Sequence, residues 1–141
     1  MYRALDISIA ILITTLLLVP CLLIAALIPL SSPGPSIYWS ERIGKGGKPF
    51  QMPKFRTMMV GAPVVSTEDF HEPEHYITKL GKILRKTSID ELPQLFCVLK
   101  GEMSLVGPRP VLASQTELLK MRRLAGIDSL RPGITGWAQV N

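Results

Sequence analysis

The stretch "ISIAILITTLLLVPCLLIAALIPL", Ile7 to Leu30, runs for 24 residues without a charged side chain. As a straight helix it would measure ~36 Å, enough to cross a bilayer. It is long for the apolar segment of a cleavable signal, and no A-x-A-like site closes it. Pro20 stands near its middle. Proline removes one backbone hydrogen bond and clashes with the carbonyl four residues earlier, so a kink is expected there. A strong kink leaves two arms of ~18–20 Å, each too short to span alone. The segment would then enter one leaflet, turn and leave on the same side. Arg3 precedes it, and Arg42, Lys45, Lys48, Lys54 and Arg56 follow it. Basic residues at both ends suit a re-entrant helix with both flanks in the cytoplasm. Kinked helices also span membranes, so a single-pass anchor stays open on pattern alone.

Working outward, the remainder is basic. The chain has 141 residues, which suits one domain, and 16 Lys and Arg stand against 11 Asp and Glu. Residues 1–35 hold only Arg3 and Asp6, which cancel, so the net charge of +5 lies entirely beyond them. Such a balance suits nucleic acid, an anionic membrane surface or phosphorylated substrates. Few aromatics and no dense Lys/Arg run weigh against nucleic acid, and the apolar segment favours the membrane. Cys21 lies inside that segment, far from Cys97, so no disulfide is expected and a reducing compartment fits.

"SSPGPS", Ser31 to Ser36, reads as a hinge between a membrane segment, 1–35, and a soluble domain, 36–141. Two short strands are predicted around a turn carrying Gly44, Gly46 and Gly47. Lys45 and Lys48 on that turn could meet phosphates, but no GxxxxGK[ST] is present. Residues 60–76 form a polar, acidic, proline-interrupted loop. Its literal H-E-x-x-H, His71 to His75, contains Pro73 and has no apolar helix around it, so a zinc site is not expected. Leu80, Ile83 and Leu84 mark one helix within 77–86. Leu92, Leu95, Phe96 and Leu99 mark an amphipathic one, with Gly101 as its stop. Residues 111–130 read as a further helix closed by Gly126. Pro132-Gly133 suits a type II turn.

The acidic pair Asp90-Glu91 stands in "SIDELPQLFCVLKGEMSLVGPRP", Ser88 to Pro110. Ser88 and Glu91 have capping-box spacing, which accounts for Glu91 and leaves Asp90 unexplained. Pro93 allows the helix to begin near Asp90 instead. Either start puts both carboxylates at the positive end of a helix dipole, which favours the ionised form that a nucleophile or metal ligand requires. Neighbours on a helix diverge by ~100°, so two different roles suit them better than a shared one. Arg85 and Lys86 lie one turn upstream. Arg109 is held between Pro108 and Pro110, and its planar fork suits phosphate. Capping plus surface charge is the competing account of the whole cluster.

Three separated motifs then carry a resemblance: "SPGPSIYWSERIGKGGKPFQMPKFRTM", "LGKILRKTSIDELPQLFCVLKGEMSLVGPRP" and "LRPGITGWAQVN". In this order they resemble the bacterial sugar transferases that are monotopic phosphoglycosyl transferases, over nearly the whole chain apart from the acidic loop. The resemblance implies an α+β, mainly helical fold: a kinked re-entrant helix broken at Pro20, and a small cytosolic domain with a β-hairpin and amphipathic helices. It implies transfer of a sugar-1-phosphate from a UDP-sugar to undecaprenyl phosphate, with release of UMP, as the first membrane step of surface polysaccharide or glycoconjugate synthesis. By that likeness Asp90 attacks the β-phosphorus and forms a phosphosugar-aspartyl intermediate. Glu91 assists at the metal or the acceptor, and Lys54, Arg85 and Arg109 contact phosphates or the nucleotide. Mg²⁺ at Asp90 and Glu91 is the implied cofactor, and the cytosolic face of the bacterial inner membrane the implied location.

Three departures from the family pattern stand out. Val19-Pro20 replaces the usual Ser-Pro, which removes a hydroxyl able to satisfy a freed carbonyl. Cys97 stands where Asn is common. The family usually continues past Asn141 with a Gly-Arg and several dozen residues, which implies a catalytic domain without its C-terminal tail. Two rival readings follow: an inactive, membrane-attached partner of the same family, and a single-pass anchored basic module that binds anionic lipid. No pattern here distinguishes galactose, glucose or an N-acetylated sugar.

Overall fold

The structure is a computed structural model that describes residues 2–63 and 75–136. The first helix, α1, covers Tyr2–Ser31 and stays helical through Pro20 and Pro29. Arg3–Ser31 is long and apolar enough to cross a membrane by length and composition. One narrow stripe of it faces the rest of the protein. Ala10 and Ile28 on that stripe are buried, and Ile13, Cys21, Ile24 and Ala25 pack beside them. The opposite side exposes Leu12, Leu16, Val19, Leu23, Leu27 and Leu30.

Both ends of α1 are held by polar bonds. The Arg3 guanidinium donates to the carbonyls of Val98 (2.6 Å) and Leu99 (3.0 Å). Asp6 accepts from the Ser104 hydroxyl (2.7 Å) and the Leu105 amide (3.2 Å). Near the other end the Ser36 hydroxyl donates to the Ala25 carbonyl at 2.5 Å. Arg3 and Asp6, a cancelling pair in the sequence, are therefore each spent on a different partner.

Strands β1 (Ile37–Ile43) and β2 (Pro49–Phe55) form the predicted antiparallel hairpin, paired from Ile37↔Phe55 to Ile43↔Pro49. Gly46 and Gly47 in the connecting turn have φ of 67° and 73°, where a side chain would be strained. Both faces of β2 are used. Phe50 and Met52 enter one core with Ala10, Leu95, Cys97, Val98 and Met103, while Phe55 enters a second with Ile28 and Leu84. Helix α1 packs on both cores, so it is a wall of the fold.

Helix α2 (Lys79–Lys86) begins at Thr78, whose hydroxyl accepts from the Gly81 amide at 2.9 Å. A Cβ on Gly81 would lie 2.0 Å from the Thr57 carbonyl oxygen, so glycine permits this contact. A 3₁₀ segment, Ile89–Gln94, leads into α3 (Leu95–Lys100), which ends at Gly101 with φ 93°, as expected of a helix stop. Phe96 departs from its expected core face: it is exposed, with the Lys100 ammonium 5.5 Å from its ring centre, and Cys97 and Val98 are buried instead. Strands β3 (Ser104–Val106) and β4 (Gly133–Thr135) pair in parallel, and α4 (Thr116–Leu124) lies between them in sequence, with Gly126 at φ 69° after it.

The architecture is α+β and mainly helical, as expected. The type II turn at Pro132-Gly133 is not formed. Gly133 opens β4 without a positive φ, because its backbone must approach Gly107: a Cβ there would lie 2.1 Å from the Gly107 nitrogen. Residues 71–74 of the H-E-x-x-H stretch lie outside the described residues.

Candidate active site

The hairpin register sets one side of the site. Residues paired across β1 and β2 share a face, so Arg42 (opposite Phe50) and Ser40 (opposite Met52) lie on the same face as Lys54 (opposite Tyr38). The Arg42 guanidinium donates to the Ser40 hydroxyl at 3.0 Å. A small cleft opens over this face. Arg42, Met52, Lys54, Glu91, Gln94, Arg109, Pro110, Gly133 and Ile134 line it.

Arg109 is delivered by a backbone held at several points. The Ile43 amide donates to the Val111 carbonyl (2.9 Å), the Gly133 amide to Pro108 (3.0 Å), and the Arg122 guanidinium to the Arg109 carbonyl (2.6 Å). Burial, and next the neighbouring Arg109 charge, lower the pKa of Arg42, with Tyr38 and Glu91 opposing. Two guanidiniums thus stand within electrostatic reach on one wall, as an anion with several oxygens would require.

The acidic pair stands opposite. Ser88, in the left-handed region at φ 56°, turns the chain sharply before Ile89–Gln94. This overturns the capping box: Ser88 makes no side-chain cap bond, and Glu91 instead pairs with Lys54 at 2.7 Å. Asp90 is 8% exposed and Gln94 2%. Burial raises the pKa of Asp90, aided by Glu91, while Lys54, Arg85 and its own backbone amide pull it down. The dipole argument for an easily ionised Asp90 is therefore corrected. The segment is a short 3₁₀ turn, and desolvation outweighs the neighbouring cations.

The structure brings Lys54, Glu91 and Arg109 together at the cleft, with Asp90 buried in the same short turn as Glu91. Arg85 does not line it. Its Nε donates to the Thr57 hydroxyl at 2.9 Å, and it acts on Asp90 through charge alone. Arg42 was missed as a site residue. Period-two reading of "IYWSERI" links it to Ser40, but only the register links it to Lys54.

The described residues contain no cluster of three or more His, Cys, Asp or Glu placed to hold a metal ion. Asp90 and Glu91 are a two-carboxylate set. That number fits Mg²⁺, which commonly takes one or two carboxylates and completes its shell with substrate phosphates and water.

Comparison with known proteins identifies the family. Residues 1–141 match the family described as bacterial sugar transferase. A UDP-glucose:undecaprenyl-phosphate glucose-1-phosphate transferase of Caulobacter vibrioides is 45% identical over 141 residues, covering 98% of this chain and 52% of the relative. The protein of that name from Escherichia coli is 46% identical over 145 residues, covering 99% and 30%. A UDP-N-acetylgalactosamine-undecaprenyl-phosphate N-acetylgalactosaminephosphotransferase of Aeromonas hydrophila is 40% identical over 142 residues, covering 98% and 33%. The chain thus spans about half of the first relative's length and about a third of the other two. With a family match along its whole length and residues of all three motifs lining one cleft, the chain belongs to the bacterial sugar transferase family.

Proposed function

We propose that this chain transfers a sugar-1-phosphate from a UDP-sugar to undecaprenyl phosphate at the cytosolic face of the bacterial inner membrane, and so begins a surface polysaccharide or glycoconjugate. The observation that carries this reading is the cleft itself. The Lys54–Glu91 ion pair and two guanidiniums, Arg42 and Arg109, line one space, with the buried Asp90 carboxylate in the same short turn as Glu91.

In the first step a carboxylate oxygen of Asp90 attacks the β-phosphorus of the donor. The new O–P bond replaces the bridging O–P bond, and UMP leaves with that electron pair. In the second step a phosphate oxygen of the lipid attacks the same phosphorus, and the Asp90 carboxylate is released. Arg42 and Arg109 would hold the donor's diphosphate, and Lys54 would counter charge near Asp90. A phosphate entering the cleft would compete with Glu91 for Lys54, freeing Glu91. Asp90 and Glu91 would hold Mg²⁺, which would neutralise diphosphate charge when bound. Burial of Asp90 suits a nucleophile, since desolvation makes its carboxylate more reactive once ionised.

A monotopic placement of α1 supports the same function. A helix crossing the bilayer would have to carry one set of its partners, those of Arg3 and Asp6 or those of Ala25 and Ile28, toward the far side. Entry and exit on one leaflet leave all of them in place, and the exposed leucines toward acyl chains. The cleft then sits at headgroup level, where the acceptor phosphate lies.

The test is UMP release by the chain with undecaprenyl phosphate, Mg²⁺ and a panel including UDP-glucose and UDP-N-acetylgalactosamine, beside Asp90→Asn. Release by the wild type alone is expected. Equal release by both proteins would remove Asp90 from the mechanism.

A further inference from the structure

Arg56 follows strand β2 directly, is 6% exposed, and has no part in the cleft. Its guanidinium is wrapped by the segment through which α1 leaves for the hairpin. Nε donates to the Pro35 carbonyl at 2.7 Å, and one terminal nitrogen to the Pro33 carbonyl (3.0 Å) and the Ser32 hydroxyl (3.4 Å). The other terminal nitrogen donates to the Ser32 carbonyl. The Arg56 amide donates to Ser36 at 2.8 Å, and the Ser32 amide to Ile28 at 3.0 Å. Gly34 has φ 125°, and a Cβ on it would lie 2.7 Å from a Val60 methyl and 3.1 Å from the guanidinium. "SSPGPS", expected to be a hinge, is therefore a clamped joint.

The joint gathers three pieces. It takes the C-terminal end of α1, where a cation is favoured by the helix dipole. It fixes the end of the strand that carries Lys54. Through the next residue it reaches α2, since the Thr57 carbonyl accepts from the Thr78 amide (3.0 Å) and the Thr57 hydroxyl from Arg85 (2.9 Å). A guanidinium is costly to bury, and among the described residues its partners are carbonyls and one hydroxyl, with no carboxylate. A loop that only had to turn would manage with Gly34 and the prolines. The rigid fork fixes the direction in which α1 departs from the cleft.

We propose that Arg56 is a positioning residue that sets the height of the cleft above the lipid by locking the exit of α1, so that it governs transfer to the bilayer-held acceptor and not the attack on the soluble donor. This rests on the two-step transferase reading given above. The donor is soluble and reaches the cleft at any height. The acceptor phosphate is tethered to the membrane plane, so a small misplacement of the cleft is felt only in the second step.

The experiment compares wild type, Arg56→Lys and Gly34→Ala in three assays: the single burst of UMP without acceptor, turnover with undecaprenyl phosphate in liposomes, and turnover with a water-soluble short-chain polyprenyl phosphate. For both variants the burst is expected within about twofold of wild type. Liposome turnover is expected to fall roughly tenfold or more, and short-chain turnover to fall far less. Gly34→Ala disturbs the joint while keeping Arg56, so it stands in if Arg56→Lys fails to fold by circular dichroism. A proportional fall in all three assays, or unchanged liposome turnover, overturns the proposal. Absence of a wild-type burst would instead strike the transferase reading.

Discussion

Lys54 and Arg56 stand two positions apart, at the end of β2 and just beyond it, and their surroundings differ in kind. Arg56 is buried with its nitrogens on fixed acceptors of the α1 exit. Lys54 stands at a cleft wall, paired with the Glu91 carboxylate, with Asp90, Arg42 and Arg109 nearby. One cation is spent on structure. The other is balanced in a small group of charges that any arriving phosphate would rearrange. Burial and partner count, more than residue type, separate a fastening from a reactive site.

The comparison breaks most visibly at Asp90. Asp90→Asn is expected to lower UMP release by about four orders of magnitude or more, as loss of a nucleophile does. The same change is expected to raise the melting temperature at pH 7. Burial holds the folded pKa of Asp90 above its unfolded value, so its contribution to stability is fully present below the unfolded pKa and is lost as pH rises through the folded one. The advantage of Asn should therefore shrink as pH is lowered toward the ordinary carboxylate range. A melting difference that grows on acidification would contradict the assigned cause.

On the structural side, Gly81→Ala forces a methyl into the Thr57 carbonyl and is expected to cost about 1–3 kcal/mol in chemical denaturation, with α2 displaced from Thr57. Arg42→Lys keeps the charge and loses the fork. It is expected to raise the KM for the UDP-sugar roughly tenfold with the melting temperature nearly unchanged. At the far end of the scale, Lys120→Ala removes a 2.8 Å pair with Glu117 whose side chains are 70% and 80% exposed. Less than ~0.5 kcal/mol should be lost, and activity should not change.

Much of this was legible in the sequence, and the rest fails for physical reasons. The hairpin, the helix stop at Gly101 and the constrained backbone around Arg109 follow from local chemistry, namely glycines in a turn, a left-handed cap and prolines flanking an arginine, whereas Lys54 was singled out only by the family resemblance. Arg42 was hidden because strand register is set by pairing, not by either strand alone. Ser88 imitated a cap because capping depends on a backbone angle that the letters do not carry. The electrostatics of Asp90 were misjudged, since burial is a property of what packs above it. Arg3 and Asp6 could not be assigned, because their partners lie 95 to 99 positions away.

Those last separations bear on biosynthesis. The apolar helix is made before Val98, Leu99, Ser104 and Leu105, which hold its Arg3 and Asp6. Until then Arg3 and Asp6 must remain hydrated, which keeps the leading end of the helix at the water boundary and opposes its passage through the bilayer. Once residue 105 has been added, the newly made chain can close upon that polar end. Under the monotopic placement proposed above, the order of synthesis and the contacts of Arg3 and Asp6 point the same way.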